Sequence, residues 1–384
     1  MPHLPMGIPA SLRDLTPDIP EAVFDDAFRA ACERLDRYVG ARAVELAAEL
    51  GLGPDDLPPP DTLCAERGWR PEGALPLRWL LETLELYGAA ERRGRGTRLR
   101  GGPPAVASAE LRAEAERTLP AVRPAYEVFA LSAATLPAFL RGDARGEDAL
   151  FGPAAMGLWF DYFSNSNPLY GPNNTLTALA VERSVGGRPR VLEVGGGAGS
   201  AAQAVLRALA SAGKSPEAYV FSEPQPAFLR RGARLLQAEV PPGCEFRSMR
   251  FDIDVGAEEQ GLARETFDVV FGVNTFHLAR DLSDTLCRMR GLLRPGGVVV
   301  LGELLRPTPT AAVHLELPFT LLSAYSHVTL DDDVRVRPGF VSAQGWRRAL
   351  RTAGFGEVTL LPARAEECAG IYPGFYCGAL AARA

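Results

Sequence analysis

The second half of the chain places chemically capable side chains at the ends of short apolar runs. Glu193 opens the loop Glu193-Val-Gly-Gly-Gly-Ala-Gly199, Glu223 follows Ala218-Tyr-Val-Phe-Ser222, and Asp252 lies in Arg250-Phe-Asp-Ile253. His277 follows the run Phe267-Asp-Val-Val-Phe271, and Glu303 ends Val300-Leu-Gly-Glu303, 26 residues after the histidine. Glycines at 195, 197 and 199 let a backbone turn tightly and approach a ligand without Cβ contacts. The helix that follows offers free N–H groups. A carboxylate bound to one imidazole nitrogen fixes the tautomer, so that the other nitrogen can act as a general base.

The loop does not meet the dinucleotide fingerprint G-x-G-x-x-G in the frame starting at Gly195, because Ser200 stands where the last glycine should be. Glu193 would be unhelpful beside a pyrophosphate, and it suits the ammonium and sulfonium of S-adenosylmethionine. Glu223 is placed to accept both ribose hydroxyls. Asp252 can accept from the adenine amino group while Ile253 packs on the ring. Three acids at the ends of three successive strands, beside one glycine loop, point to S-adenosylmethionine as the cofactor. Methyl transfer is an in-line displacement from a sulfonium, so a methyltransferase must position the acceptor and remove its proton. His277 and Glu303 at one sheet edge read as that base and its orienting acid.

The elements that must position these groups follow from periodicity. The runs at 191–194, 218–222, 267–271 and 298–301 alternate with helical stretches, the pattern of a parallel, doubly wound α/β sheet. Glu357-Val-Thr-Leu-Leu361 and Phe375-Tyr-Cys-Gly-Ala-Leu380 leave no room for a full crossover helix, which places one antiparallel C-terminal strand in the sheet. The expected fold is thus α/β, a Rossmann-like class I methyltransferase sheet, plus an N-terminal, mainly helical winged-helix-like domain. That domain is read from helical spacing over 22–50, 62–67 and 75–87, followed by a polar wing at 91–100. Leu77-Arg-Trp-Leu-Leu81 puts apolar groups where a recognition helix needs polar ones, so packing or dimerisation is favoured over DNA binding. The expected boundaries are a flexible arm over 1–20, the winged-helix-like domain over 21–105, a helical linker or lid over 106–175, and the cofactor-binding domain over 176–384. Trp159, Tyr162, Phe163 and Tyr170, just before the cofactor domain, are candidates for a substrate wall.

Bulk composition narrows the classes. A net charge of -6 and a pI near 5.5 argue against a nucleic-acid partner. There is no apolar run of about 18 residues for a membrane span and no signal-peptide core. Six scattered cysteines without a CxxC pair read as reduced thiols in a cytoplasmic protein, with no metal site.

At the level of motifs the chain resembles the C-methyltransferase domains of polyketide synthases. The matching pieces are Glu259-Gln-Gly261, Phe267-Asp-Val-Val270, Asn274-Thr-Phe-His277, Arg280-Asp-Leu282, Thr285-Leu286, and Leu292-Leu-Arg-Pro-Gly-Gly297 running to Glu303. The likeness extends to the glycine loop, Tyr170, Asn173 and Asn174 upstream, and to Gly345-Trp346 and Ala353-Gly-Phe355 downstream. It implies that a His277–Glu303 dyad deprotonates the α-carbon of a β-ketoacyl thioester before methylation. It also implies that Glu193, Gly195, Gly197, Glu223, Asp252 and Asn274 hold the cofactor. Where that family carries a Trp-rich substrate-lining patch, this chain has Ala324-Tyr-Ser-His-Val328, so Tyr325 and His327 join the substrate-lining candidates. Leu278-Ala279 replaces the family's usual Ala-Thr after the histidine.

Two alternatives remain at this level: a small-molecule O-methyltransferase with His277 as base, and a winged-helix regulator that senses S-adenosylmethionine. The expected acceptor is a small molecule or a carrier-bound acyl chain. A homodimer is suggested by analogy with O-methyltransferases that share a winged-helix start. Met1 and the short tail after the last strand fit a free-standing enzyme, with an excised synthase domain as the other option.

Overall fold

A computed structural model describes residues 12–372 and 374–384; the first part of the expected arm, residues 1–11, lies outside the described residues. The chain forms two compact units. Among the described residues, one contains 26–162 and 311–327, the other 12–25, 163–310 and 328–384.

In the first unit the helix Asp26–Glu49 buries Phe28, Leu35, Tyr38, Val39 and Leu46 along one stripe. It is followed by β1 (Asp56–Leu57), the helices Pro60–Arg67 and Ala74–Leu86, and a hairpin of β2 (Ala90–Arg93) and β3 (Gly96–Leu99). Both β1 and β2 pair with β3 antiparallel. Leu77, Trp79, Leu80, Leu81 and Leu84 of the third helix are buried, so its apolar face is spent on this unit's core.

Two expectations change here. Residues 106–162 are not a linker: the helices Ser108–Thr118 and Arg123–Arg141 bury Leu111, Ala115, Tyr126, Phe129, Leu136 and Leu140 within this unit. Residues 311–327, expected in the cofactor domain, also pack here. Val313, Leu317, Leu321 and Tyr325 recur every fourth residue and all are buried. The Trp79 indole donates to His314 O at 3.1 Å, and the Glu147 carboxylate accepts both Ser323 N and Ser323 Oγ.

The second unit is built on β4 (Arg190–Glu193), β5 (Ala218–Ser222), β6 (Glu245–Met249), β7 (Phe267–Val273), β8 (Leu293–Leu304), β9 (Val358–Leu361) and β10 (Cys377–Arg383). Their order is β6-β5-β4-β7-β8-β10-β9. β4 to β8 pair in parallel, and β10 runs antiparallel to both β8 and β9. Val191, Leu192, Val269, Val270, Phe271, Val299, Val300 and Leu301 are completely buried, as central strands covered on both faces require. The strand order reverses at β4, flanked by β5 and β7, and the crevice beyond such a switch point is where α/β sheets bind ligands.

The expected loose arm is ordered from residue 12 onward. Leu12, Leu15 and Ile19 are buried, Asp18 Oδ2 accepts from Ala363 N at 3.1 Å, and Arg183 donates to Asp18 O at 2.8 Å. The apolar stripe Leu12–Leu15–Ile19 explains the docking, because its burial offsets the entropy that would keep the arm free. Among the described residues, no helix is long and apolar enough to cross a membrane.

Candidate active site

The loop after β4 and the turn after β7 lie side by side at the carboxyl ends of adjacent strands. Gly195 adopts φ +64°, and a Cβ there would fall 2.4 Å from Thr275 Oγ1. That hydroxyl donates to Gly195 O at 3.2 Å, so the two loops are tied directly. Gly197, at φ +54°, donates its N–H to Glu223 Oε2 at 3.0 Å. Gln225 N donates to the other oxygen of Glu223 at 2.9 Å. Burial raises the Glu223 carboxyl above its ordinary pKa, opposed by these two N–H groups. Each oxygen keeps a lone pair, which fits a ribose diol acceptor.

Glu193 is 1% exposed. Its Oε2 accepts from Tyr219 OH at 2.9 Å, while its buried Oε1 has no partner. Burial pushes its pKa up to about 8, with the Tyr219 hydrogen bond opposing and the Glu223 charge adding to the rise. A buried carboxyl with one unsatisfied oxygen is costly unless a cation or donor completes it.

Asp252 is exposed, past the end of β6; its Oδ1 accepts from Asp254 N at 2.9 Å. The Gln260 side chain grips the Asp252 backbone, accepting from its N–H at 2.7 Å and donating to its carbonyl at 2.8 Å. Arg288 donates to Ile253 O at 3.0 Å. Asn274, at φ +50°, is spent on the scaffold. Its Oδ1 accepts from Leu304 N at 2.9 Å and from Asn173 Nδ2 at 3.3 Å, and Asn173 Oδ1 accepts from Gly378 N at 3.2 Å. Any ligand contact of Asn274 therefore falls to its Nδ2 or backbone.

His277 sits on the 3-10 turn Phe276–Leu278, and Glu303 near the end of β8. His277 Nδ1 lies 2.7 Å from Glu303 Oε2, with both side chains buried. The other oxygen, Oε1, accepts from the backbone N–H groups of Thr275, Phe276 and His277 at 3.2, 2.8 and 3.4 Å. A carboxylate that accepts from Nδ1 holds the ring proton on that nitrogen. The lone pair is then on Nε2. The Phe340 ring lies over the imidazole, centroids 4.8 Å apart.

Sequence reasoning named Asn174 and Ser200 without a role and missed Asn165 and Arg335. Asn174 Nδ2 bonds Ser200 Oγ at 3.0 Å and Asn165 Oδ1 at 2.9 Å, and Asn165 Nδ2 donates to Ser200 O at 2.7 Å. Ser200, in place of the fingerprint glycine, is thus the anchor of the helix Ser200–Ser211. Arg335 donates to the carbonyls of His277 and Ala279 at 3.0 and 2.9 Å. No local pattern marks it.

The six wall candidates divide between the units. Phe163 and Tyr170 belong to the unit of the dyad, half-buried and edge-on at 5.2 Å. Trp159, Tyr162, Tyr325 and His327 belong to the other. Two of these are corrected to core. Trp159 is completely buried, stacked on Phe151 at 4.5 Å with its indole donating to Leu150 O. Tyr325 is buried with its hydroxyl donating to Glu316 at 2.6 Å. Tyr162 is half-buried, edge-on to Trp159 at 5.5 Å, and His327 is exposed.

Residues 192–299 match the family described as methyltransferase domain. The chain is 30% identical over 240 residues to polyketide synthase ThaQ of Burkholderia thailandensis, covering 60% of this chain and 11% of that protein. The chain thus spans about a tenth of this curated relative's length. Among solved structures, the CurJ carbon methyltransferase superposes with a TM-score of 0.76 at 21% identity, over 97% of this chain and 96% of that one. The trans-methyltransferase CalH, in complex with SAH, superposes with a TM-score of 0.62 at 22% identity, over 95% and 92%. The methyltransferase domain model thus spans β4 to β8 of this chain, and the fold resembles that of the CurJ carbon methyltransferase.

Proposed function

We propose that this methyltransferase uses S-adenosylmethionine to methylate an activated carbon beside a carbonyl, in polyketide-type biosynthesis, on a free or carrier-bound acyl substrate. The residues fit that cofactor. The buried, unpartnered Glu193 Oε1 suits a cationic group, and Glu223 presents a carboxylate beside the glycine loop. Asp252 and Ile253 would take the adenine end. When bound, the cofactor supplies an electrophilic methyl group on a sulfonium.

The observation that carries the reading is the dyad. His277 Nε2 accepts the α-proton of the acceptor, and the imidazolium so formed is held by Glu303 at 2.7 Å. The three N–H donors on the other oxygen hold the Glu303 carboxylate in place beside the ring. A positioned base of this kind contributes roughly 10²–10⁴ in rate. The curated relative ThaQ is a polyketide synthase and CurJ is a carbon methyltransferase, which supports carbon as the acceptor. The cysteines among the described residues are free thiols, consistent with a reducing cytoplasm.

The test is incubation with methyl-labelled cofactor and β-ketoacyl thioesters, free and carrier-bound, with the labelled atom located by NMR. Label at the α-carbon is expected. Label on oxygen refutes the carbon assignment, and the O-methyltransferase reading then takes its place.

A further inference from the structure

We propose that Arg335 is a positioning residue that holds the base-bearing turn in its working orientation; this rests on reading His277 as the base. Arg335 is 2% exposed. Its Nη1 donates to His277 O at 3.0 Å and Ala279 O at 2.9 Å, its Nη2 to Arg280 O at 3.0 Å, and its Nε to Thr329 O at 3.1 Å. Its own backbone exchanges two hydrogen bonds with Asp331, both 2.9 Å, so the guanidinium projects from a fixed base.

The turn is therefore gripped from both ends. Glu303 takes the N–H groups of Thr275, Phe276 and His277. Arg335 takes the carbonyls of His277, Ala279 and Arg280, which a short 3-10 turn leaves without internal partners. The His277 peptide is held at its N–H, its C=O and its ring. Burying a guanidinium is costly, and burial lowers its pKa to about 10 against the charges of Asp281 and Asp254. An apolar side chain would fill the same space without that cost. A planar fork with fixed donors reaches four carbonyls on two segments at set angles, whereas lysine's compact ammonium has three donors at one point and cannot span them all.

The same segment, residues 331–340, carries Phe340, which packs on the imidazole. Arg306, 1% exposed, donates to Phe340 O at 2.8 Å and Pro338 O at 3.4 Å and fixes it from behind. The turn and the ring above it are thus both set by buried arginines on carbonyls. Rotation of the turn by a fraction of an ångström displaces Nε2 from the acceptor, and errors of about 1 Å can cost about 10²-fold in rate.

The experiment compares Arg335→Lys, Arg335→Ala, Arg348→Ala and His277→Ala in the full chain. Arg348 is an exposed residue bonded to Asp333 in the same region, and its variant serves as the control. Arg335→Lys and Arg335→Ala are expected to lose about 10- to 100-fold in kcat. The KM for S-adenosylmethionine and the affinity for S-adenosylhomocysteine should stay within about twofold, which also reports that the variants fold. Guanidinium chloride at non-denaturing concentration, with ionic strength matched, should restore part of the kcat of Arg335→Ala and none in His277→Ala. The inference is overturned if Arg335→Lys keeps the parent kcat, if kcat and cofactor affinity fall together, or if guanidinium rescues nothing. If His277→Ala keeps its rate, the reading of the base itself fails, and that outcome is distinct from the others.

Discussion

Replacing Glu303 with Gln removes one charge and preserves shape, so it isolates what the carboxylate does. Three backbone N–H groups point at Oε1, and an amide must turn its oxygen toward them. Its NH₂ group then faces His277 Nδ1, 2.7 Å away in the parent, and can only donate. The ring proton is forced onto Nε2, the nitrogen needed as acceptor, and the imidazolium loses its counter-charge. The comparable tautomer error in a serine-protease triad costs about 10⁴ in kcat. About 10³- to 10⁴-fold is expected here, or roughly 4–5 kcal/mol of barrier. Because the N–H groups keep an acceptor, the fold should lose only about 1–3 kcal/mol. The assay is single-turnover methyl transfer at saturating cofactor, with S-adenosylhomocysteine titrated by calorimetry on the same samples. A kcat within about threefold of the parent, with cofactor affinity intact, would refute the dyad as the proton acceptor.

Four further outcomes follow from the glycine loop and its neighbours. The folded Glu193 carboxyl titrates near 8 against an ordinary 4.5, so between those values the native state binds one more proton than the unfolded chain. Stability of the ligand-free protein should therefore fall as pH rises through that window, and Glu193→Gln should flatten the thermal-shift profile. A cationic ligand favours the ionised form, so S-adenosylmethionine should bind more tightly by up to about tenfold per unit from pH 6 toward 8 and release a proton; affinity that is flat across this range, measured by calorimetry, contradicts it. Tyr219→Phe removes the hydrogen bond that favours the ionised form and should move the midpoint of that binding curve to higher pH. A Cβ at Gly196 would meet Phe221 Cε2 at 2.2 Å and Glu193 Cδ at 2.9 Å, so Gly196→Ala should destabilise by about 1–3 kcal/mol and weaken cofactor binding, read by thermal melting and calorimetry.

The strands and the acids at their ends were legible because each is a local signal. The β-branched runs, the glycine loop and acids at strand ends all lie within a few residues of sequence, and the sheet sets their alignment. The His277–Glu303 spacing became readable once two parallel neighbours were assumed. What stayed hidden depends on distant partners. Residues 1–20 looked like a proline-rich arm, yet Leu12, Leu15 and Ile19 find a surface supplied by the far end of the chain, near Ala363. Trp159 and Tyr325 looked like wall residues because aromatic side chains serve cores and ligand sites equally, and only the packing distinguishes them.

The excursion at 311–327 had a signal, a four-residue apolar step from Val313 to Tyr325 inside a segment otherwise read as cofactor domain. Arg335 had none: it is one arginine among many, in Asp331-Asp-Asp-Val-Arg-Val-Arg337, and its four carbonyl partners lie on other turns. Side chains that do the chemistry must meet the reacting atoms, which restricts their type and their place at strand ends. Side chains that hold the machinery need only reach backbone carbonyls, and every residue supplies one of those. That asymmetry explains why His277 and Glu303 could be paired from sequence while Arg335 required the fold.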